Sequence, residues 1–260
     1  MKISSFNING IKARLPELRY WLSKENPDIV GLQELKSDSS GFTENMFADL
    51  GYHGVFNGQK GYNGCGILSK QKILNPSFIL PGMENDTQSR WLSADINDLM
   101  ICNLYLPNGN PVGTDKLDYK LEWMSQLISH ARYLIGIGKP VIMFGDFNVI
   151  PQDIDCLEPN KWVNDALFHP QVRSKFFEIT NLGFYDALRL MAKDSQVFTQ
   201  WDYQGGSWQK NNGVRIDHFL LTPSAMDLLV SCGVDKYMRS RDRPSDHVPV
   251  WIELLNKPKI

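Results

Sequence analysis

The stretch Val141-Ile142-Met143-Phe144-Gly145-Asp146-Phe147-Asn148 carries four apolar residues through a glycine into an acid and, two residues on, an amide. So short an apolar run, rich in strand-forming residues and closed by glycine, reads as a buried β-strand rather than a helix. Three other segments stop in the same way: Phe6-Asn7-Ile8-Asn9, Leu32-Gln33-Glu34 and Ser245-Asp246-His247-Val248-Pro249-Val250-Trp251. A fifth, Arg215-Ile216-Asp217-His218-Phe219, sets one acid inside a strand-like stretch. Acids and amides that recur where buried strands end are what a divalent-cation hydrolase needs, and packing gives no reason for them.

Working outward, β character is expected over Ile3–Ile8, Ile29–Gln33, Gly66–Ser69, Trp91–Ile96, Met100–Tyr105, Val141–Phe144, Val214–Leu221 and Val248–Leu254. Leu15, Leu18, Trp21 and Leu22 mark one amphipathic helix that ends before Asn26-Pro27. Leu117, Leu121, Met124, Leu127, Ile128, Ala131 and Leu134 mark a longer one, closed by Gly136 and Gly138. A third is expected over Val172–Asn181, with Gly183 as its stop. Helices interspersed irregularly among many strands imply two packed sheets covered by helices, with loops at one end gathering the polar segments. No linker or repeat divides the 260 residues, so a single domain over 1–260 is expected.

Composition is that of an ordinary globular protein, 42% hydrophobic and 22% charged. The net charge of −2 gives no bulk basic field for a polyanion, but acids awaiting a cation would lower it in the same way. Cys65, Cys102, Cys156 and Cys232 are too scattered for a zinc site or disulfide framework, and Cys65, Cys102 and Cys232 read as buried free thiols. No signal peptide or membrane span is visible. A cytoplasmic monomer is expected.

Phosphodiester hydrolysis needs a cation on the phosphate oxygens, a base for water and donors for developing charge. Glu34, Asp246 and Asn7 have the hardness that Mg²⁺ prefers; Glu34 alone would read equally well as a strand-end surface charge. Asp146 and Asn148, two apart, face one side of an extended chain, one to act on water and the other on phosphate. An Asx turn is the competing explanation. Asp217 orients a histidine or pairs with its basic neighbour, and Tyr105 and Asn108 add a phenol and an amide at another strand end.

The ordered set FNING, LQE, YLPN, GDFN, RIDHF and SDHVPVW resembles that of the exonuclease III-type abasic-site endonucleases, within the metal-dependent endonuclease/exonuclease/phosphatase superfamily. The resemblance runs from Lys2 to about Leu254 and implies an α/β fold, a four-layered sandwich of two mixed sheets flanked by helices. It implies that Asn7, Glu34 and Asp246 surround a Mg²⁺ ion, for which Mn²⁺ would substitute, with Asp146 and Asn148 beside it. Tyr105 would lie near the attacked phosphate, Asp146 and Asn148 would activate water and hold phosphate, and Asp217 and His247 would form an acid–imidazole pair. The implied partner is double-stranded DNA with abasic sites or blocked 3′ ends. The implied reactions are incision 5′ to an abasic site, removal of 3′ blocking groups and 3′→5′ trimming. A non-catalytic nucleic-acid-binding regulator and a superfamily phosphatase are the alternatives.

Resemblance assigns DNA contact to Asn9, Lys12, the loop at Gly61 and Tyr62, Asn108 and Trp201, and places Gln200, Val214 and Ile216 at the pocket for the abasic sugar. Trp208 is either a stacking surface or a loop anchor. Departures from the family pattern are Leu35 where Thr is usual after Glu34, Gln200 where an aromatic is common, and Leu167 where a small residue often stands. Pro111 and Gln204 fall where some relatives wedge into the duplex.

Overall fold

A computed structural model describes residues 1–43 and 46–255; residues 44, 45 and 256–260, which the expected single domain includes, lie outside it. The strands are β1 (Lys2–Asn7), β2 (Ile29–Gln33), β3 (His53–Asn57), β4 (Cys65–Ser69), β5 (Leu74–Ser77) and β6 (Trp91–Ile96). They continue with β7 (Leu99–Tyr105), β8 (Val141–Asp146), β9 (Tyr185–Asp186), β10 (Asp217–Leu221), β11 (Leu229–Val234) and β12 (Val250–Leu254). The helices are α1 (Ile11–Glu25), α2 (Asp115–Gly136), α3 (Pro170–Asn181), α4 (Ala187–Met191) and α5 (Pro223–Met226).

Two six-stranded sheets form, ordered β11-β12-β1-β2-β4-β3 and β5-β6-β7-β8-β10-β9. Each has one parallel pair at its centre, β1 with β2 and β7 with β8, joined by the crossover helices α1 and α2. Local chemistry closes these helices. Asn26 takes the left-handed conformation at the end of α1, its N–H donating to the Leu22 carbonyl, and Pro27 follows. Thr114 caps α2 by accepting from the Lys116 N–H, with Asp115 and Asp118 in the first turn beside the helix dipole.

Between the sheets lie Ile3, Ile29, Ile67, Ile101, Ile142 and Ile252, with Phe144 and Phe219 stacked at 4.9 Å. Leu18, Trp21 and Leu22 of α1 cover the outer face of the first sheet at Val30, Leu32 and Leu68. Trp123, Leu127 and Leu134 of α2 and Phe176 of α3 cover the second at Cys102, Leu104 and Met143. Helix, sheet, sheet, helix is the expected four-layered sandwich. A buried polar clasp crosses the sheets: Gln33 Nε2 donates to Asn103 Oδ1 at 2.6 Å, and Asn103 Nδ2 to the carbonyls of Leu32 and Gly66. Buried amides joined in this way fix the register of one sheet against the other.

Gly31 shows how closely the layers meet. A Cβ there would lie 2.2 Å from Phe144 Cε2 and 2.9 Å from Asn103 Cγ. Gly31→Ala is therefore expected to cost about 1–3 kcal/mol through overpacking, read as a lower midpoint in urea unfolding at unchanged slope.

Two expected strands are shorter than drawn. β10 begins at Asp217, because Thr199 Oγ1 takes the N–H groups of Ile216 and Asp217, and the Asp155 carbonyl takes that of Arg215. Val214 makes only isolated bridges to Cys156 and Gln200. β12 begins at Val250, since Pro249 has no N–H and Val248 donates to the Thr199 carbonyl. All four cysteines are free; Cys232, expected to be buried, is half-buried, while Cys156 is buried with Cys65 and Cys102. No helix among the described residues is long and apolar enough to cross a membrane.

Candidate active site

The central parallel pairs bring their C-terminal ends to one edge of the sandwich. Asn7 ends β1 opposite Gln33, so Glu34 leaves β2 at the same level. Tyr105 ends β7 opposite Asp146 of β8, and Asp146 is in turn opposite Asp217, where β10 starts. Asp246 and His247 arrive on the segment before β12. Glycine makes one of these ends possible: Gly145 has φ +143, and a Cβ there would sit 1.9 Å from the Leu104 carbonyl oxygen.

The chain turns sharply at this edge. Asn9, Glu34, Lys36 and Asn148 all have positive φ, between 47° and 52°. Asn tolerates this conformation, whereas Glu and Lys seldom adopt it, at about 1–3 kcal/mol each. Backbone bonds hold the Glu34 turn: Gly10 N–H donates to the Glu34 carbonyl at 2.7 Å and Leu35 N–H to that of Gly64 at 3.2 Å. Leu35, where Thr is usual in the family, is fully buried in the core beneath α1.

Asn7 Nδ2 lies between two carboxylates, donating to Glu34 Oε1 and Asp146 Oδ2 at 2.9 Å each, while its Oδ1 accepts from the Asn9 N–H. Asp146 Oδ1 accepts the Asn148 N–H at 2.9 Å. Asn148 Nδ2 donates to the Leu106 carbonyl, and its Oδ1 accepts from Asn108 Nδ2 at 3.3 Å. Asp217 Oδ2 lies 2.8 Å from His247 Nδ1, and His247 Nε2 faces Asp146 Oδ2 at 3.8 Å and Asp246 Oδ2 at 4.0 Å. The basic neighbour does not pair with Asp217, because Arg215 is taken by Asp155 and Asp186. Asp217 is thus free to orient the imidazole.

Charges are displaced accordingly. Burial raises the Asp146 carboxyl, His247 opposes this, and Asp217 and Glu34 reinforce it. Burial alone would depress His247, but Asp217, Asp146 and Asp246 outweigh it and hold the imidazole well above its usual range. Burial, then Glu34 and Asp146, keeps the Tyr105 phenol protonated far above its ordinary value. Asp246 lies low despite burial, held there by His247 and by bonds from Gln200 and Asn9.

Ligand atoms of Glu34, Asp146 and His247 lie within 4.8 Å of one another; with the imidazole protonated, the two carboxylates are the members of this group able to hold a metal ion. Hard carboxylate oxygens crowded in a buried setting fit a divalent cation, whose charge would relieve their repulsion. Asn7 turns its NH₂, not its oxygen, toward these carboxylates.

A cleft of about 440 Å³ opens over the cluster, lined by Glu34, Tyr105, Asn108, Asp146, Asn148, Gln200, Val214, Ile216, Asp246 and His247. Leu167 and Trp162 complete its apolar wall. Asn9 stands at the rim, bonded to Asp246 and Lys36. Lys12 and Gly61 are exposed, as is Tyr62 at 58%. Trp201, expected to contact DNA, is instead buried behind the cleft with its ring edge-on to Phe198 and Trp208, because an indole fills the small core under this loop better than it fills a wet cleft. Trp208 packs on Trp201, flanked by Lys236 and Arg239, which is an anchor's place and not a free stacking face.

Sequence reasoning passed over several residues. Lys36 Nζ bonds Glu34 Oε2 at 2.7 Å. The Arg90 guanidinium lies 4.9 Å over the Tyr105 ring, and Lys120 is fully buried behind Asn108 and Asn148. Only Lys120 left a signal, a cation at helical spacing between Leu117 and Met124.

Residues 4–247 match the family described as Endonuclease/Exonuclease/phosphatase. The chain is 31% identical over 267 residues to exodeoxyribonuclease III of Haemophilus influenzae, across 97% of this chain and 99% of that protein. Among solved structures it is similar to an AP endonuclease from Archaeoglobus fulgidus (34% identity, TM-score 0.94, 98% of this chain and 99% of that one). It is also similar to the 3′-5′ exonuclease NExo from Neisseria meningitidis (35% identity, TM-score 0.95, 98% and 99%). A Neisseria 3′ phosphatase NExo bound to a product DNA hairpin superposes with a TM-score of 0.95 at 34% identity, over 98% of this chain and 100% of that one.

Proposed function

Since the chain belongs to the endonuclease/exonuclease/phosphatase family, we propose that it is a Mg²⁺-dependent DNA repair nuclease. On this reading it incises 5′ to abasic sites and removes 3′ blocking groups and 3′ nucleotides from duplex DNA. One observation carries the reading: Glu34, Asp146 and His247 converge within 4.8 Å at the floor of the cleft, with Asp217 behind the imidazole. A binding regulator has no use for buried carboxylates set against each other, which stabilise nothing by themselves.

Each side chain has a part that its surroundings suit. Asp217 holds His247 by Nδ1 as an imidazolium, whose Nε2–H then points into the cleft as a donor to a phosphate oxygen. Asp146, its proton affinity raised by burial, accepts a proton from the attacking water. Tyr105 remains a phenol and donates to the phosphate, and Asn148 with Asn108 offers amide hydrogens. Mg²⁺, or Mn²⁺ in its place, would be held by Glu34 with Asp146, Asn148 and Asp246 about it and Asn7 bracing the Glu34 and Asp146 carboxylates through its NH₂, and would neutralise phosphate charge as a Lewis acid. Gln200, Val214, Ile216 and Leu167 form an aliphatic and amide wall for a base-free sugar or a 3′-terminal group. Asn9, Lys12 and the Gly61-Tyr62 loop meet the flanking backbone. With four unpaired cysteines, the reading places the enzyme in the reducing cytoplasm.

The test is a panel of duplexes bearing an internal abasic site, a 3′-phosphate or a recessed 3′ end, with inositol phosphates as the contrasting substrate. Cleavage of the DNA substrates is expected with Mg²⁺ or Mn²⁺ and is abolished by EDTA. Binding of abasic duplex with no cleavage under any of these conditions would favour the regulator, and turnover of inositol phosphates alone would favour the phosphatase.

A further inference from the structure

Lys120 breaks the apolar stripe of α2. It lies on the buried face with Leu117, Trp123, Met124 and Leu127, and is fully buried. Its Nζ donates to three carbonyl oxygens: Asn108 at 2.9 Å, Asn148 at 2.6 Å and Ala166 at 3.4 Å. An ammonium has three donors and no acceptor, so these carbonyls use it completely. They belong to the loop after β7 and to the two ends of the long connection from β8 to α3, and all three points line the cleft, through Asn108, Asn148 and Leu167.

A buried lysine with no carboxylate bonded to it is expensive, and an apolar residue of the same length would spare the desolvation. Burial depresses its pKa to about 7, with Asp146 and Asp165 opposing. Helix stability therefore gives no reason for the amine, and the carbonyls do. The stem takes part as well: at Gly109, in the first loop, a Cβ would lie 2.6 Å from Lys120 Cδ, so the backbone rests directly on the lysine chain. Beyond the carbonyls the side chains are linked to each other, Asn108 Nδ2 to Asn148 Oδ1 at 3.3 Å.

We propose that Lys120 is a positioning residue for phosphodiester cleavage: its Nζ ties together the loops carrying Asn108 and Asn148 and so sets where their amides meet the scissile phosphate. It touches no reacting atom. The claim rests on the nuclease reading above, and its test separates the two.

Lys120→Met is compared with Leu134→Ala, which empties a buried site on the same helix face. The substrate is whichever DNA duplex the wild type cleaves. Displacement of catalytic groups by about 1 Å is expected to lower kcat for Lys120→Met by roughly 10–100-fold with KM little changed, whereas Leu134→Ala loses stability and keeps kcat. Lys120→Met with wild-type kcat, or an equal kcat loss in Leu134→Ala, overturns the proposal. If Lys120→Met does not fold, Lys120→Gln is read in the same way. A wild type that cleaves nothing sinks the nuclease reading instead. The side-chain amide NMR signals of Asn108 and Asn148 then decide, since on the proposal they shift in Lys120→Met and stay in place in Leu134→Ala.

Discussion

Asp146→Asn lowers the single-turnover rate of DNA cleavage by about 10²–10⁴-fold, the range for loss of one positioned general acid or base. The shape is preserved, because an amide oxygen can still accept from Asn7 Nδ2 or the Asn148 N–H, both 2.9 Å from the present carboxylate. Charge and basicity are what disappear. Stability should move the other way. The carboxyl is fully buried beside Asp217 and Glu34, and its raised pKa means that the fold favours the neutral form. A permanently neutral group therefore leaves the melting temperature equal or higher, as expected where an active site is strained for function. His247→Ala should cost activity on the same scale, but with lost stability, because it strands Asp217, whose Oδ1 already has no partner, without its imidazole. A cleavage rate for Asp146→Asn within tenfold of wild type would remove this carboxylate from the chemistry.

The sequence made the centres of both sheets legible and not their rims. β3, β5, β9 and β11, the strands it did not announce, are the four edge strands of the two sheets. A central strand is covered on both faces and must be apolar throughout, as the fully buried β2, β4 and β8 are. An edge strand needs no such run: β5 is exposed along its length and contains Pro76, β9 has only two residues, and β11 is half-exposed around Gly233. The site was legible for the same reason as the sheet centres. Asn7, Glu34, Asp146 and Asp217 stand where buried apolar runs begin or stop, so hard ligands there contrast with their surroundings. Lys120 and Thr199 act through long-range bonds to backbone, and no sequence pattern names the partners of such bonds. Trp201 was misplaced because an aromatic in a motif says nothing about which side of its loop the ring takes.

Arg215→Met should be the most destabilising single change outside the apolar core. The guanidinium is 1% exposed and all three of its nitrogens are bonded. Nε and Nη2 grip Asp155 at 2.6 and 3.0 Å, and Nη1 reaches both oxygens of Asp186 and His218 Nδ1. With Nδ1 accepting, His218 donates from Nε2 to the Val149 carbonyl, and burial followed by the Arg215 charge lowers its pKa to about 4, so it is neutral near pH 7. Removing one partner of a buried pair leaves the others uncompensated, at about 3–5 kcal/mol. Arg189 also bonds Asp155, but it leaves Asp186 without a guanidinium. The pH dependence follows from Asp155. Burial would raise its carboxyl, yet Arg215 and then Arg189 hold it below the ordinary 3.8. A depressed acid contributes stability above its unfolded pKa and loses it as pH falls through the lower folded value. The gap between wild type and Arg215→Met in urea unfolding should therefore be full at pH 7, persist to about pH 4 and narrow below that. The variant Arg215→Met/Asp155→Leu/Asp186→Leu, which strands no buried carboxylate and leaves the partly exposed Arg189 its carbonyl partners Ala192 and Ser195, should recover part of the loss. A single-variant cost below about 1 kcal/mol, no more than an exposed ion pair is worth, would mean that these groups do not hold β10 against the loop that follows β8.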